Sequence, residues 1–460
     1  MVVSGLFARF GGLAVLATLM LAAAARPSGA VPSFAAQTGQ PCIACHIGAF
    51  GPQLTPLGRA FKIGGYTQDG GQGPLATIPL AGFVLNSFTH TSAPQPQPAA
   101  PDFGRNNNPS LDQISLFFAG RINDYIGAFV QGTYDGVGHA FLLDNTDLRM
   151  TTVLDANGQD LRVGLSVNNG PTVQDPYNST FAWIFPFASS ALAPTPAAQP
   201  LLAGGLIGNS IGSTVYAWYD RKLYIEGGLY NTYGPTLLSL TGSTLGPGAT
   251  ANPAPYGRIA YEWNWDAQSA HIGAVALYSN ISPANGERSV NTLFGHDSYT
   301  DVAIDGGYQF LGDGTHIATA DAILTHEDQN LQASTALGTS TSPNNHLNQI
   351  RLNLAYFYQN TYGLNLGWQD TWGNANPALF APQPISGSAN GKPNSNSFVI
   401  EADWVPFGKE NSWGRPLANL KLGIQYTIYT EFNGGTKNYD GFGDNASGNN
   451  TLFLFAWLAF

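Results

Sequence analysis

Thr451-Leu-Phe-Leu-Phe-Ala-Trp-Leu-Ala-Phe460, the last ten residues, is the stretch that decides the fold of this chain. Every second residue counted back from the end is apolar: Phe460, Leu458, Ala456, Leu454 and Leu452. Such alternation is typical of a β-strand. In a soluble protein it would form an aggregation-prone edge unless it paired with the first strand. The ending therefore favours a sheet that closes on itself.

The preceding sequence, from about Ile78, divides into segments of about ten residues with partial alternation, separated by clusters of Gly, Asn, Asp and Pro. Sixteen segments are predicted, starting near Leu80, Leu111, Tyr125, Asp144, Leu161, Ser213, Lys222, Tyr256, Ala267, Asp301, His316, Leu347, Tyr362, Ser397, Leu417 and Thr451. Short connections alternate with long ones such as Ala93–Pro109, Asn168–Gly212 and Trp372–Asn396. Outer-membrane barrels have short periplasmic turns and long external loops.

The predicted fold class is therefore all-β: an antiparallel transmembrane β-barrel of about 16 strands over residues 78–460, with both termini periplasmic. A chain that ends on an apolar strand with a terminal Phe also resembles the signal read by the bacterial barrel-assembly machinery. Composition agrees, because charged residues are only 10%, against about 25% in soluble proteins, and aromatic residues reach 12%. The alternative, a soluble array of β-sandwiches, would carry more surface charge. The net charge of −11 argues against nucleic acid as a partner.

Residues 1–30 have the pattern of a secretory signal peptide. Arg9 supplies a positive start, Gly11–Ala25 is an apolar run, and Ser28-Gly29-Ala30 is a plausible cleavage site. The run is shorter than the roughly 20 residues of a membrane-spanning helix. We therefore expect an exported protein and exclude this segment from the fold.

Cys42-Ile43-Ala44-Cys45-His46 contains the only two cysteines of the chain and has the C-x-x-C-H pattern of a haem c attachment site. Two thiols three positions apart can add to the two vinyl groups of one haem, with the adjacent imidazole as axial iron ligand. A structural disulfide, half a zinc site and a redox C-x-x-C pair are the alternatives. A zinc site would need further Cys or His at short spacing, and a redox pair would need a βαβ setting. The predicted cofactor is one covalent haem c held by Cys42, Cys45 and His46, with His46 on the metal.

The segment 31–77 is too short to surround a haem, so we expect a monohaem cytochrome c segment that forms a plug in or at the barrel lumen. One helix is predicted after an N-cap at Thr55 and Pro56. Arg59 and Lys62 are the cations nearest the haem motif. They either meet the haem propionates or are solvated or paired with lumen carboxylates, and the sequence does not decide between these.

The second axial ligand is not assigned. Met150, the one methionine after the signal, lies beside Leu148 and Leu154 and is predicted to face lipid. The remaining histidines are more typical of loops or rims than of ligands: His90, His139, His271, His296, His316, His326 and His346. The long third connection, near 168–212, either folds inward as in general porins or is a surface loop with a membrane contact.

The quoted motifs resemble a known family, the fused monohaem cytochrome c–porins of the bacterial outer membrane, which are proposed as iron oxidases. The similarity lies in Ala30–His46, which ends in the C-x-x-C-H motif, in Leu54–Tyr66, and more locally in Asn-Asn-Gly-Pro-Thr-Val-Gln-Asp at 168–175. It implies electron transfer through a single haem c in a porin-like barrel in the outer membrane.

The protein is expected to act as an Fe(II) oxidase that oxidises extracellular Fe(II). A periplasmic c-type cytochrome or another acceptor is the expected partner that receives the electron. Acidic loop residues such as Asp135, Asp144 and Asp147 are expected to attract Fe²⁺ as oxygen ligands. No catalytic residue is assigned. Two alternatives stay open: a diffusion porin with a structural or sensory haem plug, and an outward exporter of electrons to extracellular acceptors.

Overall fold

The computed structural model describes residues 32–409, 412 and 418–460. The predicted signal peptide, residues 1–30, therefore lies outside the described residues. The helices are α1 Pro32–Thr38, α2 Cys42–Cys45, α3 Pro56–Ile63, α4 Pro235–Thr241 and α5 Gln332–Ala336. The strands are β1 Leu80–Thr91, β2 Asn108–Arg121, β3 Ile126–Asp135, β4 Ala140–Ala156, β5 Gln159–Asn168, β6 Ser210–Tyr219, β7 Leu223–Thr232, β8 Gly248–Thr250, β9 Ala254–Trp265, β10 Gln268–Pro283, β11 Asp297–Phe310, β12 His316–Asn330, β13 Asn344–Tyr358, β14 Tyr362–Gly373, β15 Ser395–Trp404, β16 Asn419–Glu431 and β17 Thr451–Ala459.

The strands form one closed antiparallel barrel of sixteen wall strands, which confirms the predicted fold class. Strand β1 pairs with β2 on one side and with β17 on the other, so the sheet has no free edge. The three-residue β8 only extends the pairing of β10 beyond β9. None of the helices in the described parts of the chain is long and apolar enough to cross a membrane.

The connections divide the barrel into two ends, which we call the short-turn end and the long-loop end. Seven connections lie at the short-turn end: 122–125, 157–158, 220–222, 266–267, 311–315, 359–361 and 405–418. The connections at the other end run for 13 to 41 residues, as at 284–296 and 169–209, with one exception. Residues 136–139 are a four-residue turn, because β4 begins at Ala140 instead of near Asp144. Asp135 accepts hydrogen bonds from the backbone of Val137 and Gly138 and so closes that turn tightly.

The outer surface of the wall is an apolar band. Leu116, Val215 and Ile304 are among the large apolar side chains that face outward on successive parts of the wall. Many exposed aromatic residues belong to strand ends at the short-turn end: Tyr219, Trp263, Trp265, Tyr308, Phe310, Tyr356, Tyr358, Tyr362 and Trp404. An apolar band bordered by aromatic rings is the surface that a transmembrane barrel presents to lipid and to the membrane interface.

The last strand differs from an ordinary porin strand in that its inner face is aromatic too. Phe453, Phe455 and Trp457 point into the lumen, opposite the lipid-facing Leu454 and Phe460. The lumen-facing residues of open porin barrels are polar, since they line water. An aromatic inner face therefore indicates that something apolar occupies the lumen beside β17.

The plug, residues 32–77, occupies the lumen at the short-turn end. Asn360, in a short turn, accepts a hydrogen bond from Gly48 N–H, and the Asn419 amide donates to the Ala49 carbonyl at 2.7 Å. On the opposite wall, Tyr216 donates from its hydroxyl to the Ile63 carbonyl at 2.7 Å. The plug is thus tied to β6, to β16 and to the turn between β13 and β14.

The loop between β5 and β6, residues 169–209, folds into the lumen above the plug. Its backbone N–H groups at Leu201 and Leu202 donate to Glu327 and Asp301 of the far wall, at 2.5 and 2.6 Å. Asp175 of the loop forms a buried ion pair with Arg258 of β9. Of the two interpretations left open, inward folding is therefore correct and the surface loop is wrong.

Candidate functional site

A cavity of about 510 Å³ lies inside the barrel between the plug, the inward loop and the wall. Cys42, Cys45 and His46 all border it, so the structure brings together the three residues predicted to form the site. Aromatic rings from all three regions supply most of its apolar lining: Phe34, Phe50 and Phe61 from the plug, Phe181, Trp183 and Phe187 from the loop, and Phe83, Phe117, Phe129 and Trp457 from the wall. Its size is within the ~300–1,000 Å³ range of small-molecule and cofactor sites.

The C-x-x-C-H motif is a single helical turn held by the segment that follows it. The His46 N–H donates to the Cys42 carbonyl, and the Thr55 hydroxyl donates to the Ala44 carbonyl at 2.5 Å. Helix α3 begins at Pro56 with Thr55 as N-cap, as predicted, and Thr55 accepts from the Gly58 N–H. Gly58 is required here, because a Cβ would lie 2.3 Å from the Cys45 carbonyl oxygen. The helix and the cysteine turn therefore form one packed unit.

The thiol environment argues against a redox C-x-x-C pair. Burial, with a smaller contribution from the neighbouring Cys42 thiol, raises the pKa of Cys45 to about 11. Reactive redox cysteines have lowered pKa values, because the thiolate is the nucleophile. Cys45 in this folded chain is thus a poor nucleophile at neutral pH, and the site suits a thiol that is modified before it is enclosed.

The surroundings of His46 favour a neutral imidazole that can bind a metal over a charged one. Burial lowers its pKa to about 4, and a backbone interaction with Gly51 offsets only part of that shift. Its Nδ1 is buried without a geometrically good hydrogen bond to the described chain. A neutral imidazole is the form that binds iron. The residues present therefore fit a covalently attached haem: two thiols, one neutral imidazole and an aromatic cavity beside them.

The two plug cations have different surroundings. Arg59 is 1% exposed and forms an ion pair with Glu262 of β9 at 2.7 Å. Of the interpretations left open by the sequence, pairing with a lumen carboxylate is therefore the correct one for Arg59. It also donates to the Ser269 hydroxyl and the Gln309 side chain. Lys62 instead borders the cavity and has no carboxylate within 4.0 Å among the described residues.

Lys62 donates to the Val173 carbonyl and to the Asn178 side chain, both at 2.9 Å. Burial lowers the pKa of Lys62 to about 7, with the charge of Arg149 as the next cause, while Asp147, Asp175 and Glu226 act in the opposite direction. No carboxylate among the described residues is close enough to form an ion pair with this ammonium group.

No second histidine and no methionine borders the cavity in the described chain. Met150 is 50% exposed on the outer face of β4, which confirms that it faces lipid. His90 bonds to Asn107 at the long-loop end, and His271 stacks on Tyr177 in the lumen at a centroid distance of 4.7 Å. His139, His296, His316, His326 and His346 are exposed. The second axial ligand therefore stays unassigned.

The prediction that Asp144 and Asp147 are loop residues was wrong, because both lie inside β4, which runs from Ala140 to Ala156. Asp147 is buried in the wall and pairs with Arg149 at 2.7 Å. Asp144 borders the cavity and accepts from the Thr133 hydroxyl at 3.1 Å. Asp135 caps the short turn after β3. Groups of three metal-ligating side chains are absent from the described residues.

Sequence reasoning missed Arg351 of β13, which borders the cavity from the wall. It also missed Trp183 of the loop, whose indole N–H donates to the Val173 carbonyl at 2.9 Å. One available signal was the aromatic inner face of the last strand, where an open channel would have polar residues. No local pattern distinguishes Arg351, because its neighbours in the cavity are distant in sequence.

The chain is similar to several solved outer-membrane proteins at low sequence identity. The anion-selective porin from Comamonas acidovorans is 12% identical, with a TM-score of 0.44 over 83% of this chain and 98% of that one. The outer membrane channel DcaP of Acinetobacter baumannii is 13% identical, with a TM-score of 0.44 over 83% and 96% of the two chains. OmpF of Salmonella typhi, solved with daunomycin, is 13% identical, with a TM-score of 0.45 over 83% and 97%. No protein-family model and no curated protein matches the sequence.

Proposed function

We propose that this protein is an outer-membrane electron carrier with one haem c bound covalently to Cys42 and Cys45 in the lumen. His46 would be its protein-supplied axial ligand. The proposed activity is oxidation of extracellular Fe(II), with the electron passing to a periplasmic c-type cytochrome or another acceptor. The observation that carries the proposal is that both thiols and the imidazole border one aromatic cavity inside a membrane barrel.

A haem bound there would supply one-electron chemistry. The chain's own residues would hold and insulate it: aromatic rings of the plug, loop and wall limit water, and the neutral His46 keeps its lone pair available. Burial and axial ligation are the features by which a protein tunes a haem's reduction potential. The inward loop lines the cavity through Phe181, Trp183 and Phe187, so an external donor would reach the haem past this loop.

The barrel fold also favours a second candidate function, a diffusion porin whose plug is structural or sensory. The filling of the lumen counts against a wide channel, since the plug and the inward loop both bond to several wall strands. An outward exporter of electrons would use the same site and differ in the direction of flow and in the driving potential.

The test is a spectroelectrochemical titration of the purified protein, followed by addition of Fe(II) under anaerobic conditions. We expect covalent haem on a denaturing gel, reduction of the haem by Fe(II), and loss of haem staining in the Cys42→Ala/Cys45→Ala variant with a barrel that still shows heat-modifiable mobility. His46→Ala should keep the covalent haem but alter its spectrum and slow its reduction. Met150→Leu, on the lipid face, is the matched control and should match the wild type.

Haem that stays oxidised with excess Fe(II) at the working pH would remove the iron-oxidase activity and leave the exporter or porin alternative. A wild-type chain without covalent haem would overturn the electron-transfer proposal as a whole. Large single-channel conductance in a planar bilayer would favour the diffusion porin.

A further inference from the structure

Cations inside the lumen fall into two groups according to their partners. Four have carboxylate partners within 4.0 Å: Arg59 with Glu262, Arg149 with Asp147, Arg258 with Asp175 and Asp305, and Lys421 with Glu401 and Asp403. Lys62 and Arg351 are the cations that border the cavity, and neither has such a partner in the described chain. Among these six cations the missing partner follows the cavity, although the half-buried Arg162 beside the plug at Gly64 also has no carboxylate within 4.0 Å in the described chain.

Arg351 has unused hydrogen-bonding capacity. A guanidinium carries five N–H donors, and its Nε donates to the Gln349 side chain at 3.0 Å. The Nη atoms donate to no group in the described residues, whereas those of Arg59 donate to Glu262, Ser269, Gln309 and the Leu54 carbonyl. The planar end of Arg351 is thus available to a carboxylate in the cavity.

Lys62 is in a similar position on the plug side. Two of its three N–H donors are used, on the Val173 carbonyl and the Asn178 side chain. One donor remains for another acceptor. Asp144 also borders the cavity, but it lies beyond 4.0 Å from both cations and accepts from Thr133.

The inward loop positions both cations. The Lys62 ammonium lies 4.7 Å from the ring centre of Trp183, and the Arg351 guanidinium lies 5.4 Å from the ring centre of Phe181. These two rings are two positions apart in the loop. Lys62 of the plug and Arg351 of the wall are therefore both held by the inward loop, through the attraction of a cation to an aromatic face.

Lys62 is buried and Arg351 is half-buried against the cavity. Desolvated cations without carboxylate partners are costly, so the presence of both at one cavity indicates an anionic ligand. Haem c carries two propionate carboxylates. We propose that Arg351 and Lys62 bind the two haem propionates, so that the wall and the plug each hold one. This inference rests on the proposed function, since it requires haem in the cavity.

Two positive charges beside the haem stabilise the ferrous form relative to the ferric form, because the ferric haem carries one more positive charge. Removing either charge should therefore lower the reduction potential. The barrel should still assemble, since neither removal leaves a buried carboxylate without its partner.

The experiment compares full-length protein carrying Arg351→Gln, Lys62→Gln or both with the wild type. Covalent haem is measured by haem staining, assembly by heat-modifiable mobility, the midpoint potential by spectroelectrochemistry, and the propionate bending modes by resonance Raman of the ferrous protein. We expect full haem attachment, a lower potential in each single variant, a larger shift in the double variant, and altered propionate modes. Arg351→Lys should restore most of the potential, and Lys222→Gln, an exposed cation paired with Asp220, is the matched control with no shift.

Normal haem content with unchanged potential and unchanged propionate modes in the double variant would overturn this inference and leave the proposed function standing. A shift in potential without any change in the propionate modes would also overturn it, because that result is expected from charge near the haem without contact. A wild-type protein without covalent haem would overturn the proposed function, and the propionate assignment with it.

Discussion

The outer surface and the lumen of this barrel accommodate their side chains in different ways. Outward positions carry large apolar residues in simple alternation, as at Leu116 and Val215. Inward positions carry charged groups that are fully buried and paired across long distances in the sequence, as in Arg258 with Asp175 and Asp305. One surface needs only hydrophobicity, and the other needs specific partners.

This difference predicts how each surface tolerates change. A substitution on the lipid face alters the transfer of one side chain and leaves its neighbours satisfied. Removing one member of a lumen ion pair leaves an uncompensated buried charge, which costs about 3–5 kcal/mol. Variants in the two regions can measure that asymmetry directly.

The largest effect is expected from Arg258→Gln. This change leaves Asp175 of the inward loop and Asp305 of β11 buried without their cation, so the loop should detach from the wall with a loss of about 3–5 kcal/mol. The measurements are limited proteolysis of residues 169–209 and single-channel conductance, both of which should increase. Arg288→Gln, an exposed loop cation, is the control. An unchanged loop would mean that the ion pair does not hold it.

A smaller effect is expected on the lipid face at Leu116, which is 67% exposed midway along β2. Leu116→Arg should destabilise the barrel by about 2–4 kcal/mol, because a charged group enters the lipid core. Unfolding in guanidinium from phospholipid vesicles measures this loss, and Leu116→Ile should stay within about 1.5 kcal/mol of the wild type. Equal stability of the Arg variant would place this face in water.

The prediction with the smallest effect at neutral pH concerns the pH dependence of stability at His46. In the haem-free Cys42→Ala/Cys45→Ala variant, burial holds the folded-state pKa of His46 near 4, against 6.5 in the unfolded chain. The unfolded state then binds more protons between these values, so this residue's contribution to stability falls as the pH drops from 6.5 to 4.

Carbon-13 NMR of labelled histidine should detect that titration directly. We expect one imidazole that titrates near pH 4 and whose signal is lost when His46→Gln is added to the variant. A His46 signal that titrates near 6.5 would contradict the burial of this side chain in the plug.

The wall could be predicted from the sequence because its signal is local. Each of the sixteen predicted segments starts within four residues of an observed wall strand, as at Leu80, His316 and Thr451. A period of two residues and a turn cluster are both contained within about ten residues of chain. The N-cap at Thr55 is local in the same sense and was equally predictable.

The lumen could not be predicted in this way. Arg59 and Lys62 lie on one short helix, yet their partners are in β9 and in the loop, 203 and 111 positions away. Asp144 and Asp147 read as loop residues, because β4 is longer than its apolar part and its inner face is charged. Arg351 has no local pattern, and only the folded barrel brings it to the cavity.

The plug also has a consequence for the order of folding. It is the first described segment of the chain, but the Ala49 carbonyl accepts from Asn419, which follows 370 positions later, and Gly48 donates to Asn360 after 312. Contacts of such separation form slowly, since loop closure must precede them. The plug is therefore synthesised before the strands and turns that hold it, and it can dock only after they have formed. During that interval the thiols of the plug would be accessible to the covalent attachment that we propose.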